Sequence, residues 1–213
     1  MNSTQAAPAL PPPPPPAQAA RSLAEAALAA SEAWRQPLDP ARHAQAVSQL
    51  YSALRDLGIA TRGLAGWQPA GMPPAEFTAN VTAAAEQLLL AWGSLDGILA
   101  FEGPGQLPDP DDPGTVLCHA ARLAILAWRH PCGSGSDRST ATRLLSTATA
   151  SLIAATASLA ATAARHRTIG LQAAGASLAQ VPAHLAAAIR EPGNRTTPGP
   201  ALEPARHPPG VPE

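Results

Sequence analysis

The sequence predicts an all-α protein: an antiparallel bundle of five to six helices over residues 17–190, between disordered Pro-rich ends. Three observations lead there. Apolar residues recur three, four and seven positions apart through most of the chain, the period of a half-buried helix. Asp39-Pro40 and Asp112-Pro113 each join an N-cap residue to a proline, the combination that opens a helix. No stretch alternates strictly between apolar and polar residues, and aromatic residues make up only 3% of the chain, so strands have nothing to form from.

Residues 1–16 are rich in alanine and proline and end in Pro11–Pro16. Such a run adopts polyproline II, because each ring fixes φ and removes a donor. It is read as a stiff spacer in preference to a ligand for an aromatic groove. Residues 17–36 place Ala20, Leu23, Ala27, Ala30 and Trp34 on one side and Arg21, Glu25, Glu32 and Arg35 on the other. After Asp39-Pro40 the stripe is Val47, Leu50, Leu54, Leu57, Thr61 and Leu64, with Gly58, Gly63 and Gly66 weakening its last turns. Pro73-Pro74 opens the clearest helix, whose one face carries Phe77, Val81, Ala84, Leu88, Trp92, Leu95 and Leu99.

The helix after Asp112-Pro113 is apolar nearly all round, with His119, Arg122 and Arg129 as a narrow polar strip, which predicts a place in the middle of the bundle. Ser136 or Asp137 is expected to cap the next helix, residues 138–167, with Arg165-His166-Arg167 and Gly170 marking its end. A last segment, 169–190, spaces Leu171, Leu178 and Leu185 seven apart, with Pro182 as a kink or a fresh start. Residues 191–213 hold seven prolines and three glycines without an apolar period and are expected to be disordered.

Residues 144–164 contain no charge: five are Leu or Ile, nine Ala and seven Ser or Thr. About 20 apolar residues cross a bilayer. Five large aliphatics contribute only about −2 to −3 kcal/mol to insertion, against seven hydroxyls. Leu144, Leu145, Leu152 and Leu159 also gather within an arc of about 100°, as in a helix docking one seam against partners. The expectation is therefore a soluble helix and no membrane, with membrane association through 144–164 as a weaker alternative.

Composition excludes more than it identifies. Charged residues are 14% of the chain, against about 25% in a typical domain. All fourteen basic side chains are arginine, which with the abundant Ala, Pro and Gly points to a GC-rich bacterial genome. A formal net charge of −1 gives no excess for a phosphate backbone, so no nucleic acid is expected. Two cysteines do not make a disulfide framework, and the N-terminus lacks the basic and apolar regions of a signal peptide, so the expected location is cytoplasmic. The N-x-[ST] matches at Asn2, Asn80 and Asn194 carry little weight, because glycosylation needs export.

Cys118-His119 and His130-Pro131-Cys132 resemble zinc half-sites, but twelve residues of helix hold them about 18 Å apart. Asp109, Asp111 and Asp112 alternate with proline and fit turns and a cap better than a calcium loop, whose twelfth position here is Ala120. Arg165-His166-Arg167 reads as cations at a helix C-terminus, and Arg55-Asp56 as a solvated face. The alternative for Arg55, Arg62 and Trp67 is an anion pocket. Trp34, Trp67, Trp92 and Trp128 are read as core anchors. Glu76 and Glu86 do not converge, and no Glu-x-x-His, G-x-S-x-G, P-loop or Rossmann pattern occurs. No cofactor, metal or catalytic residue is expected. The leading functional expectation is a non-catalytic interaction or scaffold protein with a protein partner or self-association. The runner-up is a small-molecule-binding or regulatory bundle with a pocket near Trp92, His119, Arg122 and Trp128.

Overall fold

The structure is a computed structural model that describes residues 13–67, 74–99, 109–129 and 135–190. Those residues form seven helices and no strand: α1 (Pro16–Ala33), α2 (Pro40–Ala65), α3 (Pro74–Leu99), α4 (Pro113–Arg129), α5 (Gly135–Thr162), α6 (Arg165–Leu178) and α7 (Val181–Ala188). The all-α bundle expected from the sequence is the fold observed. The expected disordered ends, residues 13–16 excepted, lie outside the described residues, as do His130 and Cys132.

The start signals act as chemistry requires. Asp39 Oδ1 accepts from the Arg42 N–H at 2.9 Å, and Asp112 Oδ2 from the Thr115 N–H at 3.1 Å. Each carboxylate satisfies one of the four N–H groups that a helix start leaves open. The polyproline run feeds straight into α1: Pro15 has φ −54° and ψ 145°, and Pro16 is already helical. Pro182 lies in the first turn of α7, so it marks a fresh start.

Two boundaries differ from expectation. Helix α5 begins at Gly135, so Ser136 and Asp137 lie inside its first turn. It ends at Thr162, and Arg165-His166-Arg167 opens α6 instead of closing α5. The chain turns through Ala163 and Ala164, where Ala164 is extended (φ −61°, ψ 151°). No glycine or proline announces that break.

Helix directions follow from paired contacts. Gln49 meets Thr115 and Asp56 meets Arg122, both 66 positions apart, and Gly63 lies against the Trp128 carbonyl. A constant offset means that α2 and α4 run parallel. Tyr51 meets Asp96, Gly58 meets Leu89 and Ala65 meets Thr78, so α3 runs antiparallel to α2. Trp128 Nε1 donates to the Pro16 carbonyl at 3.3 Å, while Gly114 packs beside Trp34, so α1 is antiparallel to α4. His43 lies at Leu159 and Trp67 at Arg138, making α5 antiparallel to α2 and hence parallel to α1. Each helix thus reverses the one before it, with α6 and α7 together forming the last rod. Around the bundle the order is α1, α4, α2, α3, α6–α7, α5, closing on α1. Two of these neighbour pairs, α1–α5 and α2–α4, are parallel.

One apolar core fills the bundle, and alanine supplies much of it. Leu23, Leu50, Leu54, Leu57, Leu88, Leu95 and Leu117 are fully buried within it, as is Trp128. On α5 the buried face repeats every seven residues: Ala141, Ala148 and Ala155; Thr142, Thr149 and Thr156; Leu145, Leu152 and Leu159. Each buried threonine hydroxyl donates to the carbonyl four residues earlier, at 2.9, 2.8 and 2.7 Å. The hydroxyls are thereby satisfied without a partner helix, and threonine serves as a slim core residue. α5 packs on α1, α6 and α7.

Helix α4, expected at the centre, lies between α1 and α2 and leaves Val116 and Leu126 43% and 50% exposed. With only two neighbours it has an outer face, which its all-round apolar sequence conceals.

Small cores demand close backbones. A Cβ at Gly170 would stand 2.7 Å from the Ser94 carbonyl oxygen on α3, whereas one at Gly93 would meet nothing within 4 Å. We therefore expect Gly170→Ala to destabilise the fold by about 1–3 kcal/mol through overpacking. Gly93→Ala should stabilise it by about 0.5–1 kcal/mol through helix propensity. Urea unfolding followed by circular dichroism separates the two; equal effects would contradict the α3–α6 contact.

Candidate functional site: the polar seam between α2 and α4

The densest polar network runs along the parallel pair α2–α4. At its N-terminal end Gln49 Nε2 donates to Asp112 Oδ2 and to Thr115 Oγ1, the latter at 3.2 Å. The cap of α4 is thus tied to α2. One turn on, the Cys118 thiol donates to the Gln49 carbonyl at 3.3 Å. Burial pushes that thiol up to about 11, with the nearby Arg122 acting in the opposite direction. Cys118 is neutral at physiological pH and reads as a small core residue.

Asp56 sits farther along. Its side chain is 4% exposed, not the solvated group expected from the sequence. Oδ1 accepts from Arg55 Nε at 3.0 Å and Oδ2 from Arg122 Nε at 3.3 Å. A buried carboxylate needs such partners, since desolvation of an unpaired one costs several kcal/mol. The two arginines reach in from the rim, with side chains 46% and 66% exposed. Two guanidiniums on one carboxylate leave this part of the seam with a net positive charge.

The four residues expected around a pocket divide among different places. Arg122 belongs to the seam, while His119 points outward from the same helix. Trp128 is fully buried and holds the start of α1 through Pro16. Trp92 lies on α3, which has α2 between it and α4. There it packs on Tyr51, with ring centroids 5.6 Å apart, and its Nε1 is buried without a hydrogen-bond partner among the described residues. The Tyr51 hydroxyl donates to Asp96 Oδ1 at 3.0 Å, and partial burial together with that bond raises its pKa. Trp92 is thus separated by α2 from the other three, which share α4. A shallow depression between α2 and α3, about 330 Å³ in volume, is lined by Arg62, Glu86, Leu89 and Leu90.

Other polar groups are committed to structure. His43 is buried, and its Nε2 lies 2.9 Å from the Leu159 carbonyl. A carbonyl only accepts, so Nε2 carries the proton and binds the start of α2 to the end of α5. Asp109 Oδ1 accepts from the Asp111 N–H at 3.0 Å, the turn geometry expected of that loop. Among the described residues no three His, Cys, Asp or Glu side chains converge on a metal position. The expectation of a solvated Asp56 fails because an adjacent Arg-Asp pair on a helix looks the same in sequence whether solvated or buried. The signal was its place three residues from Ala53 and four from Ala60, on the edge of the apolar stripe.

Comparison with protein-family models, curated proteins and solved structures gives no match to this chain.

Removing the Asp56 charge should matter more than removing either arginine. Asp56→Asn leaves two guanidiniums facing each other and is expected to cost about 1–3 kcal/mol. Arg122→Gln leaves Arg55 in place and should cost less than about 1 kcal/mol, because the lost pair is rim-exposed. Chemical denaturation of both variants checks the order.

Cys118 gives a pH test. Its pKa is higher in the fold than the ordinary thiol value of 9.0, so the native state prefers the thiol. The associated stability is fully present below pH 9 and is lost as pH rises toward 11. In a Cys132→Ser background, Cys118→Ala should remove that part of the alkaline sensitivity, measured as denaturation midpoints from pH 8 to pH 11.

Proposed function

We propose that this chain is a non-catalytic helical interaction protein that works by associating with further copies of itself. One observation carries the reading. Of the six large apolar side chains exposed among the described residues, Ile59, Val116 and Leu126 lie on the adjacent pair α2–α4, and Leu28 and Leu90 on the helices that flank it, α1 and α3. Exposed apolar residues gathered on adjoining helices mark a contact surface more often than scattered ones do. The behaviour of the polar groups points the same way. The buried histidine, the thiol and the α5 threonines each spend their proton on a main-chain carbonyl, and not on one another in a nucleophile–base pair.

The reading places the protein in the cytoplasm, without nucleic acid and without a membrane. Among the described residues Ser136–Thr162 is the one helix long and apolar enough to cross a bilayer. Its leucines face α1, α6 and α7 in the body of the bundle, which supports a water-soluble role.

Analytical ultracentrifugation of the purified full-length protein tests the proposal. The expected outcome is reversible association within the micromolar range. A strict monomer up to hundreds of micromolar would refute self-association, and recovery of the native protein only in the membrane fraction would refute the soluble reading.

A further inference from the structure

The parallel seam brings together a repeated pattern that neither helix reveals alone. On α2 the residues are Arg55-x-x-x-Ile59-x-x-Arg62, and on α4 Arg122-x-x-x-Leu126-x-x-Arg129. All six side chains are exposed. The offset between the two patterns is 67 positions, beside the 66 measured between contacting residues, so the patterns lie side by side. In each, the arginines stand two turns apart, about 10 Å along the axis. Ile59 shares the α4-facing stripe of α2 with Asp56 and Gly63, which sets it between the two arginine columns. The only acid on these stretches is Asp56, buried and already shared by Arg55 and Arg122. Glu86 on α3 borders Arg62 in the shallow depression but forms no salt bridge with it. The face is therefore a strongly basic one with apolar anchors, on a chain of formal net charge −1.

The matching surface is on α1. Glu25, Leu28 and Glu32 are exposed there, and neither glutamate makes a salt bridge among the described residues. Leu28 is 49% exposed. Laid antiparallel on α2, this triplet sets Glu32 against Arg55, Leu28 against Ile59 and Glu25 against Arg62. The remaining charges of α1 do not clash: Arg21 falls opposite Gly66, and Arg35, just past the helix end, falls toward Ser52.

We propose that the arginine face of α2–α4 is the docking site for α1 of a second copy of this chain, through Glu25, Leu28 and Glu32. This deepens the self-association proposed above and rests on it. The contact is head-to-tail: α1 of one copy lies on α2–α4 of the next, and its repetition runs on into a larger assembly. Apolar anchors supply the attraction, and the opposed charges fix the register.

The test uses two full-length double variants. One is Glu25→Arg with Glu32→Arg. The other is Arg62→Glu with Arg129→Glu, which leaves the Asp56 pairs intact. Each variant alone should associate at least about tenfold more weakly than the wild type, because like charges then face each other. Mixed in equal amounts, the two should recover a hetero-complex, seen by sedimentation and native mass spectrometry. A wild-type oligomer indifferent to both reversals, or a mixture that fails to recombine, overturns this inference while leaving self-association standing. A wild type that stays monomeric overturns both, including one that binds anionic phosphatidylserine vesicles through Arg62 and Arg129. Should a variant fail to fold, the wild type alone decides: its association must weaken as ionic strength rises, and a salt-insensitive oligomer overturns the inference.

Discussion

The constraint on which the rest of this structure depends is the small volume of its core residues. Alanine fills much of the interior, and a methyl group cannot span a wide gap between helices. Packing at ordinary protein density therefore requires the backbones to come close. Gly63 against the Trp128 carbonyl and Gly170 against the Ser94 carbonyl are where that approach is tightest. The same pressure explains α5, where threonine occupies a core row and turns its hydroxyl back on its own helix. Leucine at every seventh position then supplies the volume that alanine lacks.

Close approach also decides where polarity resides. The α2–α4 pair has room for few long side chains inside, so Gln49, Asp56 and Cys118 line its seam, and the arginines that satisfy Asp56 come from the rim. The consequence is an outer surface whose cations are held in place by a buried anion. Arg55 and Arg122 lose freedom to Asp56 before any partner arrives, which lowers the entropy still to be lost on binding.

How much of this was legible in the chain depends on the kind of signal. Asp39-Pro40 and Asp112-Pro113 were readable because a cap is local chemistry, and the leucine rows were readable because a helix has a fixed period. The break at Ala163-Ala164 was not, since two alanines fit a helix as well as a turn and only tertiary packing chose between them. Periodicity also says which face of a helix is buried but not which helix covers it. That is why α4 was expected at the centre, and why Trp92 was grouped with Trp128 although α2 stands between their helices. Asp56 required the same missing knowledge: nothing beside it in sequence indicates that Arg122 arrives from the parallel neighbour.

The position of α4 also bears on how the chain reaches this state. Six residues join α1 to α2, yet the two helices do not pack on each other, because α4 fills the space between them. Helices α1 and α2 consequently have no tertiary surface to bury against each other as an isolated hairpin. Docking of α1 waits for α4, whose Trp128 lies 112 positions beyond Pro16, so the chain must close a long loop before the reward arrives. During synthesis α2 can pack on α3 as soon as that helix emerges, whereas α1 stays an unattached amphipathic helix until α4 has followed.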